Sequence, residues 1–233
     1  MRWRDLLFLH WEISPELIRP TLPPGLELDL HGGRAFLGIV PFVMAGVRPA
    51  YLPPVRGISD FPELNLRTYV HDRAGVPGVW FYSLDAAQWL AVGIARRFFH
   101  LPYHTARIEV VRAAAGGVTH RLRRRASGAE SRFAWTPGEA LPAPQPGSLE
   151  HFLAERYRFY ATDGARLFRG AVSHPPYPLR RAVVTECAEN LFAAAGFSPA
   201  GRGPDHVLCS DGVEVEAFGL EEVGNPAPRG IGS

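Results

Sequence analysis

Residues 61–106 read FPELNLRTYV, then HDRAGVPG, then VWFYSLDAAQWLAVGIARRFFHLPYHTA, and the elements in this stretch decide the fold. Alternation over Glu63 to Val70 predicts a strand. It sets Glu63, Asn65, Arg67 and Tyr69 on one face and Leu64, Leu66, Thr68 and Val70 on the other. Val79 to Leu84 is apolar or aromatic on both faces, the pattern of a strand covered on both sides. If the two strands pair, the Glu-Asn-Arg-Tyr face is enclosed rather than solvated. Asp85 then predicts the N-cap of a helix to about Phe99, with Arg96 and Arg97 suiting its C-terminal end. Pro102 ends any regular helix.

Upstream, Leu6 to Ile13 predicts a strand, and Ser14-Pro15 a helix start with Glu16 in its first turn. Leu26 to Leu30 alternates, His31-Gly32-Gly33 turns, and Arg34 to Met44 returns, which is a hairpin. Ala45 to Asp60, with Pro49, Pro53 and Pro54, is long for a connection and reads as a lid or an interface loop. Downstream, Arg107 to Arg112, Val118 to Arg125 and Ser131 to Trp135 predict a meander, and Thr136 to Gly147 a linker or lid. Ser148 caps a helix to about Arg156. Arg158 to Thr162 and Ala165 to Ser173 flank Asp163-Gly164, a hairpin signal. Arg180 to Cys187 predicts a strand and Glu189 to Ala195 a short helix. Val207 to Ser210 and Val213 to Phe218 predict a last hairpin over Asp211-Gly212. The pattern is α+β, a large mostly antiparallel sheet curled into a barrel with two main helices. Residues 1–220 form a single domain and 221–233 a flexible tail.

Composition narrows the function classes. The net charge of +2 offers no global field for nucleic acid or an anionic membrane. The longest uncharged apolar run, Ala35 to Val47, is too short to span a bilayer. Cys187 and Cys209 are too few for a disulfide framework, which fits a reduced, cytoplasmic setting. Every basic side chain other than histidine is Arg; the sequence holds no Lys. Apart from the Met1 α-amino group there is no primary amine, so a lysine Schiff base with a carbonyl substrate is excluded. Phosphate-binding and dinucleotide-binding glycine motifs, a Gly-x-Ser-x-Gly elbow and HExxH are absent. His100 and His104 have zinc-like spacing, but Pro102 breaks their register, so no metal and no cofactor is expected. Arg121, Arg123 and Arg125 share one strand face and read as its solvated side.

The Glu63/Asn65/Arg67/Tyr69 face is the leading candidate site. It could form a pocket wall with a carboxylate acid/base, an amide, a guanidinium fork and a phenol. It could instead be a buried structural network or a plain exposed sheet face. Tyr103 and His104 come second, as a pair that could orient or protonate a ligand or merely pack in a capping turn. Trp80 and Tyr82 would add to the lining, and Arg156 and Tyr157 offer another cation and phenol.

Several motifs occur together and in order: HW at His10-Trp11, LPPGLELDL from Leu22, FPELNLRTYV from Phe61, GVWFYSLDA from Gly78, ARRFFHLPY from Ala95 and ERYRFY from Glu155. Nearly end to end, the chain resembles the uncharacterised bacterial YqjF-type family, which is related to the acetoacetate decarboxylase superfamily. The resemblance implies a cone-like β-barrel with helices packed outside and a buried pocket. It also implies that Tyr103 falls where those decarboxylases carry their nucleophilic lysine, with Glu63 as the pocket glutamate and Arg67 as its arginine. Tyrosine cannot form an imine. The expectation is therefore a pocket for a carboxylate or carbonyl metabolite, with Glu63, Arg67 and Tyr103 as catalytic groups if chemistry occurs. The other expectation is a non-catalytic binding protein or sensor. Self-association stays open.

Overall fold

The computed structural model describes residues 1–47, 59–88, 92–93, 99–198 and 202–224. Strands β1 (Arg2–Ile13), β3 (Ala35–Ala45), β4 (Phe61–Asp72) and β5 (Pro77–Ala86) form one antiparallel run in the order β1-β3-β4-β5. Between β4 and β5, Leu64 faces Asp85 and Leu66 faces Ser83; the register then slips, and Arg67 faces Phe81. β5 continues into β6 (Tyr103–Arg112) by a parallel pairing, Leu84 with Tyr103 and Asp85 with His104. The meander β6, β7 (Val118–Arg124) and β8 (Glu130–Ala140) follows, then β11 (Leu179–Ala188) and β12 (His206–Glu214). β12 pairs with β1, so the strand path returns to its start and closes as a ring.

Around the ring, β2 (Leu26–Leu28) extends β4, and β9 (Arg158–Thr162) lies parallel to β5. β10 (Leu167–Ser173) pairs with β9, with β13 (Glu216–Ala217) and with β14 (Glu221–Glu222). The described helices are short: α1 (Pro15–Ile18), α2 (Leu149–Ala154) and α3 (Leu191–Ala194). Ser148 caps α2, its hydroxyl accepting from the His151 amide at 3.1 Å. No helix among the described residues is long and apolar enough to cross a membrane.

Alternation gives each strand two faces with different cover. Leu7, Leu9, Leu37, Ile39, Leu64, Leu66, Leu122, Phe133 and Trp135 pack into one core, closed by Phe192 of α3. The opposite faces of β1, β3 and β12 present Leu6, Phe8, Val40, Phe42 and Leu208 to a second core with Ala154, Tyr177 and Leu179. Tyr69 and Phe36 pack on Leu153 of α2. The Glu63-to-Tyr69 face is therefore enclosed, as the strand pairing predicts.

Several expectations change. Asp85 is a strand residue and caps no helix: its carboxylate is taken by Arg124. Most of the helix expected after it, and the loop at 48–58, lie outside the described residues. Tyr103 and His104 open β6 rather than form a turn, because β5 supplies ladder partners for them. Thr136 to Ala140 continues β8 along β11 instead of starting a linker. Arg156 lies beyond the end of α2. Asp211-Gly212 does not turn the chain. β12 runs straight through it, held by Arg4 opposite Gly212 and Arg2 opposite Glu214. Glu221 and Glu222, expected in the tail, pair with Arg169 and Phe168.

Candidate active site

β4 and the parallel β5–β6 pairing bring Glu63 and Tyr103 together from 40 residues apart. Glu63 faces Ala86 across one ladder and Tyr103 faces Leu84 across the next, so the two side chains share a face. The Tyr103 hydroxyl donates to Glu63 Oε2 at 2.8 Å. Glu63 is 2% exposed, between Phe42 and Ala86 on the flanking strands, and Tyr103 packs against Phe61, Ala86 and Val92. Burial pushes the Glu63 carboxyl up to about 8; the Tyr103 bond pulls it down, and the charge of Asp85 adds to the rise. Burial and the neighbouring Glu63 hold the Tyr103 phenol well above its ordinary range. At neutral pH both groups carry a proton in a site of low polarity. This combination allows a carboxyl to act as acid below about pH 8 and as base above it.

Behind Glu63, on the alternate face, sits a second polar group. Asp85 is fully buried and takes two bonds from Arg124, Nε to Oδ1 at 2.7 Å and Nη2 to Oδ2 at 2.6 Å. His120 lies two residues before Leu122 on the same buried face of β7. Burial drives its imidazole down to about 3, the Glu63 backbone partly offsetting this, so it is neutral. His104 is the ladder partner of Asp85. Sequence reading missed the buried Asp85–Arg124 pair and the buried His120. The signal was present: alternation that sends Arg121 and Arg123 outward sends His120, Leu122 and Arg124 inward.

Arg67 and Tyr69 continue the Glu63 face but turn to α2. Arg67 Nη2 donates to the Leu153 carbonyl at 3.1 Å, and the Tyr69 hydroxyl donates to the same oxygen at 2.9 Å. With its only proton committed there, Tyr69 must accept from His10 Nε2, 2.7 Å away. That fixes the His10 tautomer, and burial beside Arg67 holds the ring neutral. Asn65, between the two groups, is 5% exposed with Oδ1 unpartnered.

Of the remaining candidates, Arg156 lies over the Tyr69 and Phe152 rings at 5.1 and 4.2 Å and pairs with Asp29 at 2.7 Å, beside a cleft of about 530 Å³ that His31, His71 and His151 also line. Tyr157 donates to Glu155 at 2.6 Å. Trp80 packs with Val70 and Tyr160, and Tyr82 meets Thr21 at 2.6 Å and the Phe197 ring. The structure thus joins Glu63 to Tyr103 and Arg67 to Tyr69, and gathers neither Trp80 and Tyr82 nor Arg156 and Tyr157 around Glu63. His100 stacks on Phe168, while His104 faces Asp85. Among the described residues, no group of three or more His, Cys, Asp or Glu is placed to hold a metal ion.

Over residues 1–214 the chain matches DUF2071, a family described as an uncharacterized conserved protein. It is 40% identical over 198 residues to the uncharacterized protein YqjF of Bacillus subtilis, covering 84% of this chain and 81% of that protein. Among solved structures it is similar to an acetoacetate decarboxylase-like enzyme from Sphingomonas wittichii, with TM-score 0.65 and 13% identity over 95% of this chain and 91% of that one. Acetoacetate decarboxylase from Legionella pneumophila gives 0.61 and 13%, covering 96% and 88%. The enduracididine biosynthesis enzyme MppR complexed with pyruvate gives 0.63 and 16%, covering 95% and 88%. At these identities the likeness is one of fold.

Proposed function

We propose a function from one premise: the chain belongs to the DUF2071 family of uncharacterized conserved proteins and has an acetoacetate decarboxylase-like fold. It binds a small carbonyl or carboxylate metabolite and moves a proton on it without a lysine. The observation that carries this reading is the Glu63–Tyr103 pair, joined at 2.8 Å in an apolar interior whose burial pushes the carboxyl up to about 8.

The reading dispenses with a lysine imine because the sequence has no Lys. Glu63 can take a proton from carbon beside a carbonyl when ionised and return it when neutral. Tyr103 holds one carboxyl oxygen in place and leaves the other for the ligand. Enolisation, as in isomerisation, hydration or decarboxylation through an enol, is the matching reaction class. The fold relative MppR supports the ligand class, since its structures carry pyruvate and the condensation product of pyruvate with imidazole 4-carboxaldehyde.

The test is exchange of the pyruvate methyl protons with deuterated solvent, followed by NMR. The protein should accelerate exchange, with a rate rising to a plateau above about pH 8. Glu63→Gln should slow it by about a hundredfold or more. Saturable binding of pyruvate with no exchange at any pH would replace the catalytic reading with a binding role.

A further inference from the structure

Asn65 follows Glu63 on the enclosed face of β4, one side-chain repeat further along the strand. It is 5% exposed, and its Oδ1 is buried with no hydrogen-bond partner among the described residues. On the flanking ladders it faces Val40 and Leu84, whose side chains offer no donor. Leu84 in turn faces Tyr103, so Asn65 and Tyr103 lie in one row across the sheet, next to the row of Glu63 and Ala86. Glu63, Tyr103 and Asn65 therefore share one side of the sheet within two consecutive rows. The first two satisfy each other at 2.8 Å, and the Asn65 oxygen joins neither. A buried acceptor left without a donor is costly, and an amide that serves only structure is normally paired.

Charge narrows what this acceptor can meet. The charge acting on Glu63 is that of Asp85, an anion. Arg124 commits Nε and Nη2 to Asp85, and Arg67 directs Nη2 to the Leu153 carbonyl and the Tyr69 hydroxyl. A ligand carboxylate at Glu63 would set another anion beside a carboxyl that must ionise to act as a base. A neutral ligand brings no such opposition.

We infer that the substrate of the Glu63–Tyr103 pair is a small neutral hydroxy carbonyl compound whose hydroxyl group is held by Asn65. This rests on the acid/base reading of Glu63 and narrows its substrate class. A hydroxyl both donates and accepts, so it meets the carboxamide in either of the amide's two orientations. A hydroxyl on the carbon beside the carbonyl also defines the chemistry. Ionised Glu63 takes the proton from that carbon, the C–H electron pair forms the double bond of an enediolate, and the carbonyl electron pair moves to oxygen. The remaining hydroxyl proton shifts to the neighbouring oxygen, and Glu63 returns its proton to the former carbonyl carbon. A hydroxy ketone becomes a hydroxy aldehyde, with no oxidant and no net gain or loss of protons.

The test follows exchange of methyl protons with deuterated solvent by NMR for hydroxyacetone, butanone and pyruvate. These join the same acetyl group to a hydroxymethyl, an ethyl and a carboxylate. Each rate is divided by that of the same compound in buffer alone. Hydroxyacetone should exceed the other two by about tenfold or more, and lactaldehyde should accumulate from it. Asn65→Leu should bring the ratio of hydroxyacetone to butanone close to one. Butanone or pyruvate exchanging as fast as hydroxyacetone, with Glu63→Gln stopping the exchange, overturns the inference while the acid/base reading stands. An unchanged ratio in a folded Asn65→Leu protein overturns it too. No acceleration with any of the three, or rates untouched by Glu63→Gln, defeats the acid/base reading and the inference with it. The wild-type ratios decide the matter if Asn65→Leu does not fold.

Discussion

Arg124 and Asp85 meet from β7 and β5 with neither side chain more than 7% exposed. Removing one partner of such a pair strands the other charge in a dry interior. Arg124→Met should therefore cost about 3–5 kcal/mol in chemical denaturation, while the double variant with Asp85→Leu should recover most of that loss. In a still-folded Arg124→Met protein, the unshielded Asp85 should also drive the Glu63 carboxyl further up, measurable by NMR titration. Residue identities were partly legible in advance. Glu63, Arg67 and Tyr103 stood out because charged and phenolic groups on an enclosed strand need partners. Asp85 was misread because an acid before an apolar run signals a helix cap and a buried ion pair alike; the choice depends on Arg124, 39 residues away.

Strand β12 shows how far local signals carry at the scale of an element. Asp163-Gly164 does turn the chain, with Gly164 at φ +97° between β9 and β10. Asp211-Gly212 is the same dipeptide in an unbroken strand. A positive φ serves a turn and a strand irregularity equally, and Gly212 at +132° sits against β1. A Cβ there would stand 2.1 Å from the Trp3 carbonyl oxygen. Gly212→Ala should cost about 3 kcal/mol, since strain and backbone overlap add. Gly116→Ala, at φ +86° with open space around it, should cost only about 1 kcal/mol. Urea midpoints of the two variants check this difference. Hairpins were readable because their information is local. The parallel β5–β6 pairing that brings Tyr103 to Glu63 was not, because no periodicity encodes a crossover partner.

For the whole molecule, the buried titrating groups oppose one another across pH. Burial raises the Glu63 carboxyl in the folded state from its ordinary 4.5 to about 8. Its contribution to stability is full below about 4.5 and is lost as pH rises towards 8, with a slope of up to about 1.4 kcal/mol per pH unit. His10 and His120 are depressed below 6.5, so their contribution is present above 6.5 and lost as pH falls. Stability should peak near pH 6.5, where the opposing slopes cancel. Glu63→Gln should flatten the alkaline side and move the peak upward. Denaturant midpoints collected from pH 5 to 9 would show both effects.

The closed ring of strands also bears on biosynthesis. β1 leaves the ribosome before the other described strands, yet one of its edges is covered only by β12, some two hundred positions later. Until residues as far as Glu214 have left the ribosome, the nascent chain must hold an apolar strand with an open edge. The β11 edge that β12 will cover also waits. Such a chain folds late and from distant pairings, which favours slow folding and dependence on chaperones that shield exposed edges.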